Sequence, residues 1–162
     1  MNNMAHAVLR LLEENKIDHT LAEHPAVFNM EELYAQGLEH CDAIAKNLLV
    51  RDQKKRFYWL LVLYGEKRAD LKALKARLGH GALSFAGAEE LAELLGLTPG
   101  SVTPFGALND KEHRVTLLLD EDYRGKLIGV HPNDNTATVW LPADALVELL
   151  RQQGTTVEFI LF

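Results

Sequence analysis

The chain has 162 residues, 48% of them hydrophobic, a single cysteine and a formal net charge of −6. That length supports one well-packed core and is short for two, so a single domain over residues 1–162 is expected. There is no run of about 18 apolar residues and no basic-then-apolar leader at Met1, which argues against a membrane span or a secretory signal and for a cytoplasmic protein, while a lone Cys41 excludes an internal disulfide and a cysteine-rich zinc site.

Met4, Val8, Leu11 and Leu12 recur at helical spacing with Arg10, Glu13 and Glu14 opposite, which predicts an amphipathic helix over 4–15. Asp18 to His24 is predicted as a short strand stopped by Pro25. Asn29 followed by Glu32 has the spacing of a capped helix start, with Gly37 at its end. Val27, Phe28, Met30 and Tyr34 fall on this bend. His40 to Val50 alternates like a strand and carries Lys46 among apolar neighbours; because lysine is rarely buried unpaired, its ammonium is expected to reach a cleft. On that reading His40 and Cys41 point to opposite faces and make no thiol–imidazole pair. A basic turn over 51–56 leads into Phe57 to Tyr64, whose near-continuous apolar run predicts a strand covered on both faces at the centre of the sheet.

Ala69 to Leu78 is predicted as a helix with Leu71, Leu74 and Leu78 inward, and Arg68, Lys72 and Lys75 as a basic stripe on another face. Leu83 to Ala86 is a short strand, and Ala88 to Leu95 a helix with Gly96 beyond its end. Arg114 to Asp120, Lys126 to His131 and Thr136 to Leu141 are expected to form a meander of strands, followed by a helix over 142–153 and a closing strand over 155–162. The predicted class is α+β: a mixed, mostly antiparallel curved sheet flanked by helices.

Charge is unevenly distributed. From Lys46 to Arg77 ten basic residues stand against three acidic ones, a local +7, while the remainder, seven basic against twenty acidic, carries −13. Such a chain would confine a polyanion to one face and repel it elsewhere, although a charged run is also an ordinary solvated surface. Sequence signatures of zinc proteases, P-loops, dinucleotide folds and serine hydrolases are absent, and the histidines lack metal-ligand spacing.

The stretch Gly100-Ser101-Val102-Thr103-Pro104-Phe105-Gly106 joins the helical middle to the strand-rich final third. Its glycines permit unusual backbone angles and Pro104 stiffens it, leaving amides that could point at an oxygen becoming negative during a reaction. Taken alone, Thr98-Pro99-Gly100 is equally ordinary helix-exit chemistry, and His131 before Pro132 is an ordinary structural histidine.

In combination these pieces are more specific. Ala45-Lys46-Asn47, the G-x-x-x-P loop from Gly100 to Pro104, and Gly129-Val130-His131-Pro132 resemble, in order and spacing, the YbaK-like prolyl-tRNA-synthetase-associated editing domains over nearly the whole chain. The segment Glu23-His24-Pro25-Ala26-Val27-Phe28 and the overall length look most like the ProX-like branch, which clears alanine from tRNA(Pro). The resemblance implies hydrolysis of the ester joining a wrong amino acid to the terminal adenosine of tRNA. It gives Lys46 the nucleotide phosphate or ribose, the Gly100 loop the oxyanion, and His131 the ester or the substrate amine, with Asn47 in support and Ser101, Val102, Thr103, Pro104 and Phe105 along the loop. Phe28, Met30, Tyr34 and Phe105 are candidate walls of the amino-acid pocket; Arg68, Lys72 and Lys75 are candidate tRNA contacts. The implied partners are the acceptor end of tRNA(Pro), with prolyl-tRNA synthetase as a second candidate, and no membrane, metal or cofactor. Two rival readings stand beside it: a non-catalytic tRNA- or synthetase-binding module of the same fold, and a deacylase for cysteinyl or seryl esters.

Overall fold

A computed structural model describes residues 1–162. The chain runs α1 (Asn3–Glu14), β1 (Thr20–Glu23), α2 (Met30–Tyr34), β2 (Ala45–Asp52), β3 (Tyr58–Tyr64), α3 (Leu71–Leu78), β4 (Leu83–Phe85), α4 (Ala88–Leu95), β5 (Val115–Asp120), β6 (Leu127–Val130), β7 (Ala137–Pro142), α5 (Ala143–Gln152) and β8 (Val157–Ile160), with short 3-10 turns at Cys41–Ala43, Pro104–Asn109 and Glu121–Tyr123. The strands form two sheets: five strands in the order β4-β2-β3-β5-β8, and three in the order β1-β7-β6. The five-stranded sheet is mixed, antiparallel at β2–β3 and β2–β4 but parallel at β3–β5 and β5–β8. The smaller sheet is antiparallel throughout.

The centre of the larger sheet is β3, and its unbroken apolar sequence has the expected cause. Tyr58, Leu60 and Val62 face the main core, which also takes residues from α1, α4, α5 and the second sheet. Trp59, Leu61 and Leu63 face a smaller cluster closed by Leu74 of α3, with Leu71 and Leu78 packed beside it. A strand buried on both sides has no polar face to alternate.

Several expectations need correction. The meander does not form: β5 is committed to β3 and β8, while β6 and β7 pair with each other in the second sheet. The 3-10 turn Glu121–Tyr123 makes the change of sheet, and its Tyr123 is wholly buried with its hydroxyl donating to Ala43 O at 3.0 Å. Residues 40–44 are not strand. His40 is left-handed at φ 55° and Cys41–Ala43 is a 3-10 turn, so the alternation seen there belongs only to the stretch from Ala45. The basic stripe is also shorter. Asp70 caps α3 by accepting from the amides of Lys72 and Ala73, which leaves Arg68 in the preceding loop and only Lys72 and Lys75 on the helix. In α2, Asn29 accepts from Glu32 N as predicted, but the Glu32 carboxylate takes the amide of Phe28 at 2.8 Å rather than that of Asn29.

Beyond their shared core, the two sheets are joined by a single parallel backbone bridge, Ile44 to Gly129. A side chain at Gly129 would put Cβ 2.7 Å from Trp140 Nε1 and 3.0 Å from Ile44, and Trp140 Nε1 donates to His40 O. The seam is therefore close-packed and backbone-led. Gly129→Ala should displace the Trp140 ring, break that hydrogen bond and lower stability by about 1–3 kcal/mol, read as a lower urea midpoint at unchanged slope.

Candidate active site

β2 is paired along its whole length with β3, but on its other side β4 reaches only Val50 to Asp52. The stretch Ala45 to Leu48 thus presents a free edge next to the Ile44–Gly129 seam. A cavity of about 270 Å³ opens there. Its walls are Ile44 to Leu48 of the β2 edge, Val27 to Met30 and Leu33 of the α2 bend, Gly100 and Val102 of the loop, and Val130, His131 and Thr138 of the second sheet. Four pieces of chain that are far apart in sequence make one cleft.

Lys46 stands at this edge half-exposed, with neither an ion-pair partner nor a hydrogen-bond partner in the chain. Register explains why it escapes burial. Lys46 lies opposite Leu63 and shares its face of the sheet with Leu48 and Val50, but α3 covers the β3 side of that face and leaves the β2 edge open. Asn47 projects to the other side; its Nδ2 donates to Ala45 O at 3.3 Å, while its Oδ1 is buried with no donor. A buried amide oxygen without a partner is uncommon and costly, and so marks an acceptor available to a bound group.

The loop divides into two halves. Gly100 has φ +91°, and a Cβ there would lie 3.1 Å from Phe28 Cα, so only glycine lets the loop and the α2 bend meet. The amides of Gly100, Val102 and Thr103 donate to no acceptor in the chain, whereas Ser101 N is taken by Thr98 O. From Ser101 onward the side chains serve the fold. Ser101 Oγ turns back to Thr98, and Pro104 begins a 3-10 turn. Phe105 is fully buried in the main core and does not wall the cleft. Thr103 Oγ1 donates to His131 O at 2.5 Å and accepts from Phe105 N, which ties the loop to the end of β6.

His131 lies just beyond β6, its Nδ1 at 2.7 Å from Ala137 O. A carbonyl can only accept, so Nδ1 carries the proton and Nε2 is left as a free acceptor. Burial pushes its pKa below the ordinary imidazole value, helped by neighbouring His24 and opposed by the Ala137 carbonyl and Asp134. The cleft therefore holds a neutral imidazole at pH 7. Behind it, His24 lies with ring centroid 6.0 Å away, its Nδ1 2.9 Å from Pro25 O and its Nε2 2.9 Å from the hydroxyl of buried Thr138.

Of the expected residues, Lys46, Asn47, Gly100, Val102, His131, Phe28 and Met30 come together here. Tyr34 lies outside the walls, as do Ser101, Thr103, Pro104 and Phe105. Arg68, Lys72 and Lys75 are exposed and are not among the walls of the cleft. Missed were Val27, Leu33 and Thr138, and His24 as a partner behind the wall. The His24-Pro25 step was visible as a motif; nothing local marks Thr138, which is placed by pairing with Ala22 across β1–β7. No three of the His, Cys, Asp and Glu side chains converge in a way that could hold a metal ion.

The profile of the aminoacyl-tRNA editing domain family matches residues 24–149, which include every wall of the cleft. The chain belongs to that family. As an editing domain it is 41% identical over 155 residues to the prolyl-tRNA editing protein ProX of Acetoanaerobium sticklandii, covering 95% of this chain and 94% of that one. It is 35% identical to prolyl-tRNA synthetase associated domain-containing protein 1 of Danio rerio, covering 90% of this chain and 81% of the relative. Among solved structures, one carrying the provisional description of a trans-editing enzyme for prolyl tRNA synthetase superposes with a TM-score of 0.73 at 25% identity, over 100% of this chain and 99% of that one. The α+β expectation therefore holds for this editing domain. No helix is long and apolar enough to cross a membrane.

Because partial burial holds His131 in its neutral form, it links stability to pH. The unfolded chain protonates this imidazole near pH 6.5 and the folded chain only at lower pH, so in that window the unfolded state binds more protons. The contribution is complete above about pH 6.5 and is lost on acidification through it towards the lower folded value. Unfolding free energy should fall between about pH 7.5 and pH 5.5, and His131→Gln should reduce that fall, measured by urea titration at each pH.

Proposed function

We propose that the chain is a trans-editing hydrolase, one editing domain over residues 1–162, that removes a wrong amino acid, alanine first, from tRNA(Pro) in the cytoplasm. The observation that carries this reading is the convergence of Lys46, the free amides at Gly100 and Val102, and His131 on one cleft. An aminoacyl ester is already activated, so positioning and charge stabilisation account for much of the required rate without a protein nucleophile.

In this mechanism the Lys46 ammonium holds the phosphate or ribose of the terminal adenosine. The scissile carbonyl lies against the loop amides, which stabilise the oxyanion formed when water adds. Neutral His131, with its free Nε2, accepts a hydrogen bond from the substrate ammonium or from the attacking water, and the unpartnered Asn47 Oδ1 accepts another from the ammonium or a ribose hydroxyl. The ribose hydroxyl next to the ester helps to activate the water, and collapse of the tetrahedral adduct returns the ester oxygen to the ribose with a proton. Ser101, Thr103, Pro104 and Phe105 act by holding the loop in shape. Arg68, Lys72 and Lys75 supply phosphate contacts away from the chemistry, and a prolyl-tRNA synthetase is a fitting partner for product release and recharging.

Alanine is favoured because the apolar side chains of the α2 bend, Val27, Met30 and Leu33, offer a methyl group dispersion contacts. The bulkier proline ring is excluded by volume. Wild-type protein should deacylate Ala-tRNA(Pro), and Lys46→Ala should lose about a hundredfold in rate with its fold intact. No hydrolysis by the wild type would leave a binding module instead. Met30→Ala, by enlarging the pocket, should begin to hydrolyse Pro-tRNA(Pro); continued sparing of the correct product would remove Met30 from the selecting wall.

A further inference from the structure

The β2–β3 hairpin ends away from the cleft in a cluster that the chemistry above does not use. Asp52, itself buried, accepts from Arg56 N at 2.7 Å and Phe57 N at 3.0 Å, and so fixes the turn. Phe57 is thereby held outermost on an aromatic group. Its ring lies 6.2 Å from Trp59 in stacked orientation and 4.5 Å from His80, which in turn lies 5.0 Å from Trp59. Phe57 is nevertheless 45% exposed, and Phe85 is 53% exposed. Phe85 pairs with Val50, which pairs with Trp59, so all three side chains lie in one row on the sheet face that also carries Lys46.

The turn that carries Phe57 is basic. Lys54 and Lys55 are exposed without ion-pair partners, Arg56 lies 6.0 Å from the Phe57 ring centre, and Lys75 is exposed in the last turn of α3, which leads to His80. Exposed rings beside a basic turn are the composition of a surface that stacks nucleobases while neutralising phosphates. Distance selects which bases. Lys46 to Val50, the partner of Phe85, is four strand residues, about 13 Å at roughly 3.3 Å each, or roughly four stacking steps at 3.4 Å per step.

Building on the editing reading, we propose that Phe57 and Phe85, with Lys54, Lys55 and Arg56, form a stacking platform for the unpaired 3′ nucleotides of the tRNA where they leave the acceptor duplex. The terminal adenosine would then lie at Lys46 and the strand would follow the β2 edge between the two sites.

The test measures binding rather than chemistry. The full chain is titrated with a non-acylated tRNA(Pro) acceptor minihelix carrying the unpaired 3′ end, and with the same duplex made blunt, by fluorescence anisotropy. Wild type should prefer the overhang. Phe57→Leu with Phe85→Leu keeps apolar bulk but removes the ring faces, and should weaken overhang binding by roughly five-fold or more per ring while leaving the blunt duplex unaffected. Phe57→Tyr with Phe85→Tyr should restore the preference, and equal urea midpoints exclude a folding defect. Neutralising Lys54 and Lys55 should instead lower the salt dependence for both RNAs. Equal overhang affinity in wild type and the leucine pair overturns the platform. If wild type still deacylates Ala-tRNA(Pro) in that case, the editing reading stands without it; absence of deacylation is the separate failure of that reading.

Discussion

The site depends on an interrupted strand edge. Had β4 run alongside β2 for its full length, Ala45 to Leu48 would be an interior part of a continuous sheet and Lys46 would have no route to a cavity. Instead β4 stops at Val50, and the second sheet meets β2 through one bridge at Ile44. The space left between them is the cleft. It is bounded by backbone on several sides, which suits a task of presenting amides and a few side chains at fixed positions.

Holding that geometry falls to hydrogen bonds between segments distant in sequence. Thr103 to the His131 carbonyl joins the loop to the second sheet, Tyr123 to the Ala43 carbonyl anchors the turn that leads into β2, and Trp140 to the His40 carbonyl closes the seam. Each is made by a mostly buried side chain to a backbone oxygen, so each also satisfies an acceptor that would otherwise be left unpaired away from water. Fold stability and site geometry are therefore coupled here.

Electrostatically the cleft is simple. One unpaired cation stands at its mouth, one imidazole is kept neutral by burial, and no carboxylate is among the lining residues. An anionic, ester-bearing strand end suits such a site, and the acidic remainder of the surface would turn other approaches away. The same β2 face carries Lys46 at one end and the exposed rings at the other, so the proposed chemistry and the proposed platform share one strand.

Much was readable from the amino acids alone. The periodicity of α1, the Gly96 stop of α4, the doubly buried β3 and the Asn29 cap are local patterns with local causes, and Lys46 announced itself as a cation in an apolar strand. Gly100 and His131 needed the motif order across the whole chain. Other features depended on long-range pairing. Which sheet β5 joins, why Phe105 enters the core while Phe28 borders the cleft, and how Thr138 comes to stand between His24 and the cavity are decided by contacts between residues tens of positions apart. Periodicity reports which side of an element is apolar. It does not report which other element will cover that side, and this choice is what leaves the β2 edge open.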